Sequence, residues 1–191
     1  MAGVIAHAPP FRDVDVGETW RQLFREYGVS EAAAVHEHTG WGLMTRERMT
    51  PAYFNFGMVI APGPMMQAIG KEMVEADRFV HSRLQTFFRF QIALSLVIQK
   101  LQLPTEALPL RYNFPNNPKF DAGFPDELAD VRILHYLRCE ILDRERDFAD
   151  LDALAALVGR EDLAGSNEVL RELLAELYPV IVAEEGITSS G

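Results

Sequence analysis

Two histidines near the N-terminal third of the chain have a spacing that could bind a metal ion. His36 and His38 flank Glu37, and residues at positions i and i+2 point to the same face of a β-strand. Imidazole nitrogens are common zinc ligands, so the pair could contribute two ligands to one ion. The spacing fixes no third ligand, and such short patterns often arise by chance. A polar surface segment is the alternative.

A pair of aspartates has the DxD pattern that suits a divalent cation. Asp13 and Asp15 are separated by Val14, and carboxylate oxygens are the ligands that hard cations prefer. Such a pair can hold a cation against a nucleotide diphosphate when it ends an apolar strand. Here two prolines precede it instead. A loop that caps the following helix is the competing interpretation, because aspartate is favoured there.

Polar side chains inside apolar segments are further candidates. Asn55 and Gly57 interrupt an apolar run, and Gln91 lies among apolar residues of a predicted helix. A buried amide must pair with the neighbouring main chain or face a ligand, and a glycine lets another backbone approach closely. His135, near the end of a short apolar segment, is ambiguous between a satisfied core residue and a ligand.

Hydrophobic periodicity predicts the strands and helices that carry these residues. We expect strands at residues 2–6, 54–61, 108–114 and 131–136, helices at 18–27, 64–79, 82–101, 148–157 and 169–182, and a helical turn at 125–129. The apolar stripe of the last helix consists of Leu170, Leu173, Leu174 and Leu177, with Ser166 as its N-cap. The pattern predicts an α/β protein, rich in helix with a small mixed sheet, that forms one domain over residues 1–191.

The overall composition is that of a globular, acidic protein. The 191 residues include 18 Lys and Arg against 28 Asp and Glu, a net charge of −10, and 48% are hydrophobic. Acidic surfaces are repelled by nucleic acid and by anionic membranes, so neither is expected as a partner. One cysteine, Cys139, excludes an internal disulfide, and no apolar stretch reaches the ~18 residues of a membrane span. We therefore expect a cytoplasmic protein without a signal peptide.

Four short motifs follow one another in a definite order. They are Tyr53–Val59 (YFNFGMV), Phe90–Leu94 (FQIAL), Leu108–Pro115 (LPLRYNFP) and Ile133–Tyr136 (ILHY). The series resembles YFNxGV, DQxxLN, LPxxYN and IIHYxG in the C-terminal half of GT-A-type glycosyltransferases, especially glycogenin and the bacterial lipopolysaccharide galactosyltransferases. Because each motif is short, the resemblance over residues 50–137 rests on their order and spacing.

The resemblance implies a sugar transferase with a partial GT-A fold and assigns roles to individual residues. Asn55 and Gln91 match catalytic residues that also line the sugar and acceptor pocket, with Gly57 beside them, and Asn113 matches a substrate-binding residue. His135 matches a ligand of a manganese ion, which the family holds together with DxD carboxylates. The implied reaction transfers a sugar from a nucleotide-sugar to an acceptor hydroxyl, while Mn²⁺ or Mg²⁺ stabilises the departing diphosphate.

The chain also departs from the family pattern. Phe90 stands where the family has an aspartate, and Leu137-Arg138-Cys139 replaces a glycine and a lysine-containing stretch that helps bind the diphosphate. Few residues precede Tyr53, so the nucleotide-binding half is not evident, and residues 2–6 resemble the strand that follows the family's DxD motif. We therefore expect a truncated, weakly active or inactive transferase.

Two other functions are consistent with the sequence. One is a non-catalytic binding or oligomerising module derived from such an enzyme, in which an exposed strand edge pairs with a second copy. The other is a small metal-dependent enzyme built on His36, His38 and either Asp13 or Asp15. Metal content and oligomeric state distinguish these functions from sugar transfer.

Overall fold

The computed structural model of the protein describes residues 1–7, 10–11, 15–31, 36–37, 49–135 and 141–188. Contacts between residues divide the chain into two compact units, Met1–Asn113 and Phe114–Gly191. Units that are defined by contacts need not fold independently. The single domain expected over residues 1–191 therefore stays a prediction.

The first unit is built around a small mixed sheet. Its elements are β1 (Ala2–Ile5), α1 (Val16–Glu26), β2 (His36–Glu37), β3 (Met49–Thr50), β4 (Phe54–Ile60), α2 (Gly63–Arg83), α3 (Arg89–Lys100) and β5 (Glu106–Ala107). The central strand β1 is antiparallel to β4 and parallel to β5, and β2 pairs with β3. The expected α/β class, the abundance of helix and the mixed sheet are confirmed.

The pairing of β1 with β4 contains a bulge. Gly3 lies opposite Val59 and Ile5 opposite Phe54, so one residue of β1 spans the four residues between them on β4. A Cβ atom at Gly3 would come within 2.7 Å of the Phe54 ring, which explains why glycine is used there. Extra residues in one strand bend it and change the direction of their side chains. The bulge therefore positions residues 55–58, which include two candidate site residues.

The helices and the sheet of the first unit share a large apolar core. α2 begins at Gly63-Pro64, where proline fits the first helical turn, and α2 packs along α3. Every residue of α3 from Ile92 to Ile98 is buried, as its largely apolar sequence predicts. The core includes the α1 side chains Trp20 and Phe24. Trp20 stacks on Phe24 at a centroid distance of 5.7 Å.

The second unit is mostly helical. It contains β6 (Phe114–Pro115), α4 (Pro118–Gly123), α5 (Pro125–Leu128), β7 (Leu134–His135), α6 (Arg144–Asp147), α7 (Leu151–Val158) and α8 (Ser166–Thr188). β6 and β7 form a parallel pair. Its apolar core consists of Leu142, Leu154, Leu157 and Leu163, against which one face of α8 packs.

Several sequence-based boundaries are wrong, including both ends of the last helix, Ser166–Thr188, and the N-cap role expected for Ser166, which lies inside it. The helix expected at residues 82–101 begins only at Arg89, because α2 continues to Arg83. The strand expected at residues 108–114 is wrong except at Phe114, which belongs to β6, and a 3-10 turn forms at Leu110–Tyr112 instead. That turn closes through a hydrogen bond from the Tyr112 N–H to the Pro109 carbonyl. Proline restricts the backbone to angles that suit a turn.

Candidate functional site

Asn55 and Gly57 form one local structure in the bulge of β4. Asn55 is only 7% exposed, and its Oδ1 accepts a hydrogen bond of 2.8 Å from the Gly57 N–H. An Asn side chain that bonds the backbone two residues later stabilises a turn. The interaction gives one side-chain atom of Asn55 a main-chain partner, as expected for a buried amide.

Gln91 lies in the first turn of α3, which packs against β4. Its Oε1 atom is buried and has no hydrogen-bond partner among the described residues. One turn later, the Ser95 hydroxyl lies 3.1 Å from the Gln91 carbonyl and 3.0 Å from the Ala52 carbonyl, which precedes β4. The backbone around Gln91 is therefore held in place, while its buried Oε1 has no donor among the described residues.

Asn113 is paired with a residue that sequence reasoning missed. Its Nδ2 lies 3.5 Å from Nε2 of His7, and the two residues are only 2% and 7% exposed. His7 follows β1, whereas Asn113 ends the 3-10 turn. The only sequence signal for His7 was its position directly after a predicted buried strand. The contact joins residues 106 positions apart, which no local pattern reveals.

His135 belongs to the second unit, in β7. Burial of the imidazole ring lowers the pKa of His135 below its ordinary value because the charged form is poorly solvated. Its backbone carbonyl accepts a hydrogen bond of 3.2 Å from the Asn116 N–H. A lowered pKa keeps the ring neutral at physiological pH, the form in which histidine binds metal ions.

The remaining candidate metal ligands are the aspartates of the DxD pattern and the two histidines that flank Glu37. Asp15 is the N-cap of α1, where its Oδ1 accepts a hydrogen bond of 2.8 Å from the Glu18 N–H. This confirms the capping role considered for it. His36 forms part of β2, and its Nε2 lies 2.9 Å from the Thr105 hydroxyl. Asp13 and His38 lie outside the described residues.

The candidate metal ligands among the described residues do not form a metal centre. Within the parts of the chain that the structure describes, no three His, Cys, Asp or Glu side chains form a group that could hold a metal ion. One carboxylate oxygen of Asp15 is already used in capping α1, and His135 is the only candidate ligand in its unit. The manganese site implied by the resemblance therefore lacks a complete ligand set among these residues.

An aromatic pair lies next to the two amides along the chain. Phe56 follows Asn55, Phe90 precedes Gln91, and the two rings meet edge to face at a centroid distance of 6.4 Å. Both rings are about half exposed, at 52% and 51%. The Arg89 guanidinium lies over the Phe90 ring at 4.9 Å. Exposed aromatic rings such as these suit the apolar face of a ligand.

Two surface cavities lie elsewhere. One in the first unit has a volume of about 350 Å³ and is lined in part by Phe11, Thr19 and Thr86. Another in the second unit, of about 560 Å³, is lined by Arg146, Asp147, Arg160 and Asp162. The arginines there form ion pairs with the aspartates, so the lining charges are largely neutralised. Neither lining includes a residue chosen from the sequence.

Helices of the described ranges are too short or too polar to cross a membrane. Comparisons of the chain with models of protein families, with curated proteins and with solved structures found no match. The candidate site therefore rests on the motifs of this sequence and on the geometry of its residues.

Proposed function

We propose that the protein is a glycosyltransferase-like, sugar-binding protein of GT-A type whose first unit contains the acceptor-side pocket. As this chain, it transfers sugar from a nucleotide-sugar to an acceptor hydroxyl weakly or not at all. The observation that carries the proposal is the buried Oε1 of Gln91, which lacks a donor among the described residues. A sugar hydroxyl supplies that donor. Leaving a buried acceptor unpaired is otherwise unfavourable.

The surroundings of Gln91 support the same proposal. Asn55 lies on β4, against which the helix of Gln91 packs, so two amides suited to hydroxyl groups are carried by adjoining elements. The half-exposed rings of Phe56 and Phe90 add an apolar surface. A pyranose ring has both an apolar C–H face and polar edges, and this combination of side chains matches it.

Transfer itself requires more than this pocket. An acceptor hydroxyl held in place gains reactivity through proximity to the donor sugar, and charge on the departing diphosphate must be stabilised. Manganese or magnesium enters the proposal only through the resemblance, because the described residues supply no complete ligand set. A cytoplasmic location is proposed with it, because a single cysteine fits a reducing compartment.

Binding and turnover of sugars test the proposal. The full chain is titrated with a panel of mono- and oligosaccharides and with UDP- and GDP-sugars plus manganese, with calorimetry for binding and product analysis for turnover. Gln91→Leu should weaken saccharide binding about tenfold or more. Gln99→Leu, the same change at the other end of α3, should leave it intact.

Two results would contradict this function. One is the absence of any saccharide or nucleotide-sugar binding by the unmodified chain. The other is equal binding by Gln91→Leu and Gln99→Leu. Robust turnover that survives Asp13→Ala and Asp15→Ala would instead overturn the claim that the chain lacks a complete transferase site.

A specific observation favours a second function, homo-oligomerisation through β4. Among the described strands, β4 has a neighbour on one side only. Its Phe56 and Ile60 are 52% and 55% exposed. Residues 49–70 contain no charged side chain, although the chain carries a net charge of −10. Two acidic copies repel each other except where charge is absent, so this neutral, apolar segment is suited to contact a second copy.

Sedimentation of the full chain at micromolar concentration tests this second function. We expect a dimer that the double variant Phe56→Ser with Phe90→Ser converts to a monomer. Phe87→Ser is the matched control, because that ring is 94% exposed and forms its ring contact with Phe88 instead. A monomeric unmodified chain, or a dimer that persists in the double variant, would rule out assembly through this surface.

A further inference from the structure

The last helix, α8, has two apolar faces rather than one. Its inner face packs against the core of the second unit through Leu170, Leu174, Tyr178 and Ile181. Its outer stripe, defined as Leu173, Leu177 and Val180, is exposed by 50%, 45% and 56% respectively. The spacing of i, i+4 and i+7 places these three side chains along one line of the helix. The stripe is therefore an apolar surface that the described residues leave uncovered.

Glutamates border this outer stripe. Glu172 and Glu176 precede Leu173 and Leu177 by one residue each, and both are exposed, as is Glu184 one turn beyond Val180. The nearest basic side chain on the helix, Arg171, lies 3.7 Å from Glu172 and so offsets only part of this charge. The apolar surface thus carries an excess of negative charge along its border.

The charge determines which occupant fits. A second copy of α8 laid along the stripe would bring glutamates against glutamates, and like charges across an interface are unfavourable. An anionic lipid surface repels the same border, because membrane-binding helices use Lys and Arg there. A helix with an apolar face bordered by Lys or Arg satisfies both the stripe and the glutamates.

We propose that the outer stripe of α8 is a docking site for a basic amphipathic helix of a partner protein. The partner's apolar residues, spaced at i, i+3, i+4 and i+7, pack against Leu173, Leu177 and Val180. Its Lys or Arg side chains lie beside Glu172 and Glu176, as charges beside a coiled-coil seam do. This docking does not rest on the proposed sugar site, whose residues belong to the first unit.

A synthetic helical peptide tests the docking on the full chain. The probe is a fluorescein-labelled peptide of about three heptads, with Leu on one face and Lys on the other, and binding is followed by anisotropy. Saturable binding is expected, and added salt weakens it. Leu173→Ser with Leu177→Ser should weaken it about tenfold, and Glu172→Lys with Glu176→Lys should do the same. Val74→Ser, an exposed apolar residue of α2, should have no effect.

The controls separate docking from general attraction to an acidic protein. A scrambled peptide of the same composition should bind much more weakly, because its leucines do not share one face. Equal binding of the scrambled peptide, or full binding by the double leucine variant, would overturn the proposal. So would a chain that self-associates until Leu177→Ser is introduced, or one that sediments with phosphatidylglycerol vesicles through the same leucines.

Discussion

Asp121 in α4 caps the N-terminus of α8. Its Oδ2 accepts a hydrogen bond of 3.2 Å from the backbone N–H of Ser166, the first residue of that helix. The first amides of a helix have no partner within the helix, and a negative charge is favourable there. Gly165, with a φ of +60°, leads the chain into α8 directly beside this carboxylate. Capping by another element thus determines where the longest helix of the second unit begins.

Replacing Gly165 with alanine should destabilise the second unit. A Cβ atom at this position would overlap the Asp121 carboxylate, and a positive φ strains any residue with a side chain. We expect Gly165→Ala to lower the free energy of unfolding by about 1–3 kcal/mol, measured by urea denaturation. Gly159→Ala is the control, because its Cβ meets only ordinary contacts. An equal, small effect of both changes would refute the capping geometry.

Gly3 provides a parallel test in the first unit. Its missing side chain leaves room for Phe54, and an added Cβ would lie 2.7 Å from that ring and 3.0 Å from the Met58 carbonyl. Gly3→Ala should therefore cost about 1–3 kcal/mol of stability through overpacking. The same change at Gly63 meets nothing within 4 Å and should be neutral or slightly stabilising. If thermal denaturation shows no difference between the two variants, the close approach of β1 and β4 is wrong.

The Gln91 side chain should favour saccharide binding but lower the stability of the fold. Its buried Oε1 lacks a partner among the described residues, and an unpaired buried acceptor costs about 1–3 kcal/mol. Removing the amide in Gln91→Leu should therefore raise the free energy of unfolding by about 1 kcal/mol, even though saccharide binding falls. Chemical denaturation checks this, with Gln99→Leu as the reference. A marked loss of stability would indicate that Gln91 is a structural residue.

Stability should depend on pH through His36. Burial lowers the pKa of His36 in the folded protein, so the unfolded chain binds a proton at a higher pH than the folded chain does. As the pH falls from about 7.5 to 5, protonation therefore favours unfolding, and this contribution to stability is lost. Urea midpoints at these two pH values measure it.

The variant His36→Gln should reduce this pH dependence. Losing the contact with Thr105 lowers stability at every pH, so the difference between the two midpoints is the quantity of interest. His81→Gln changes an exposed histidine of α2 and is the control. An unchanged difference in His36→Gln would show that another group accounts for the loss at low pH.

Local patterns predicted most elements but not their exact limits. The apolar run of β4 and the capping aspartate before α1 were recognisable because strand formation and N-capping depend on adjacent residues. The 3-10 turn at Leu110–Tyr112 was missed because the same apolar residues are compatible with a strand. For α3, the true start at Arg89 was hidden by the apolar residues before it.

The last helix also shows that local patterns predict an element but not which of its faces is covered. Its leucines were expected to share one apolar stripe, and Leu170 and Leu174 do pack on the core. Leu173 and Leu177 are about half exposed instead, because core residues contact only one side of the helix. Periodicity shows that a helix is apolar, but the neighbours that cover it come from other parts of the chain.

For the candidate site, residue types alone singled out Asn55, Gln91 and His135, because polar side chains in apolar segments are conspicuous, whereas Asn113 was chosen only through the resemblance to GT-A-type glycosyltransferases. Their partners depend on the folded chain. His7 reaches Asn113 across 106 positions, and Asp121 caps Ser166 across 45. The local sequence determines which segments become helices and strands, since that preference depends on neighbouring residues. Packing of distant segments determines which polar groups are satisfied and which remain available to a ligand.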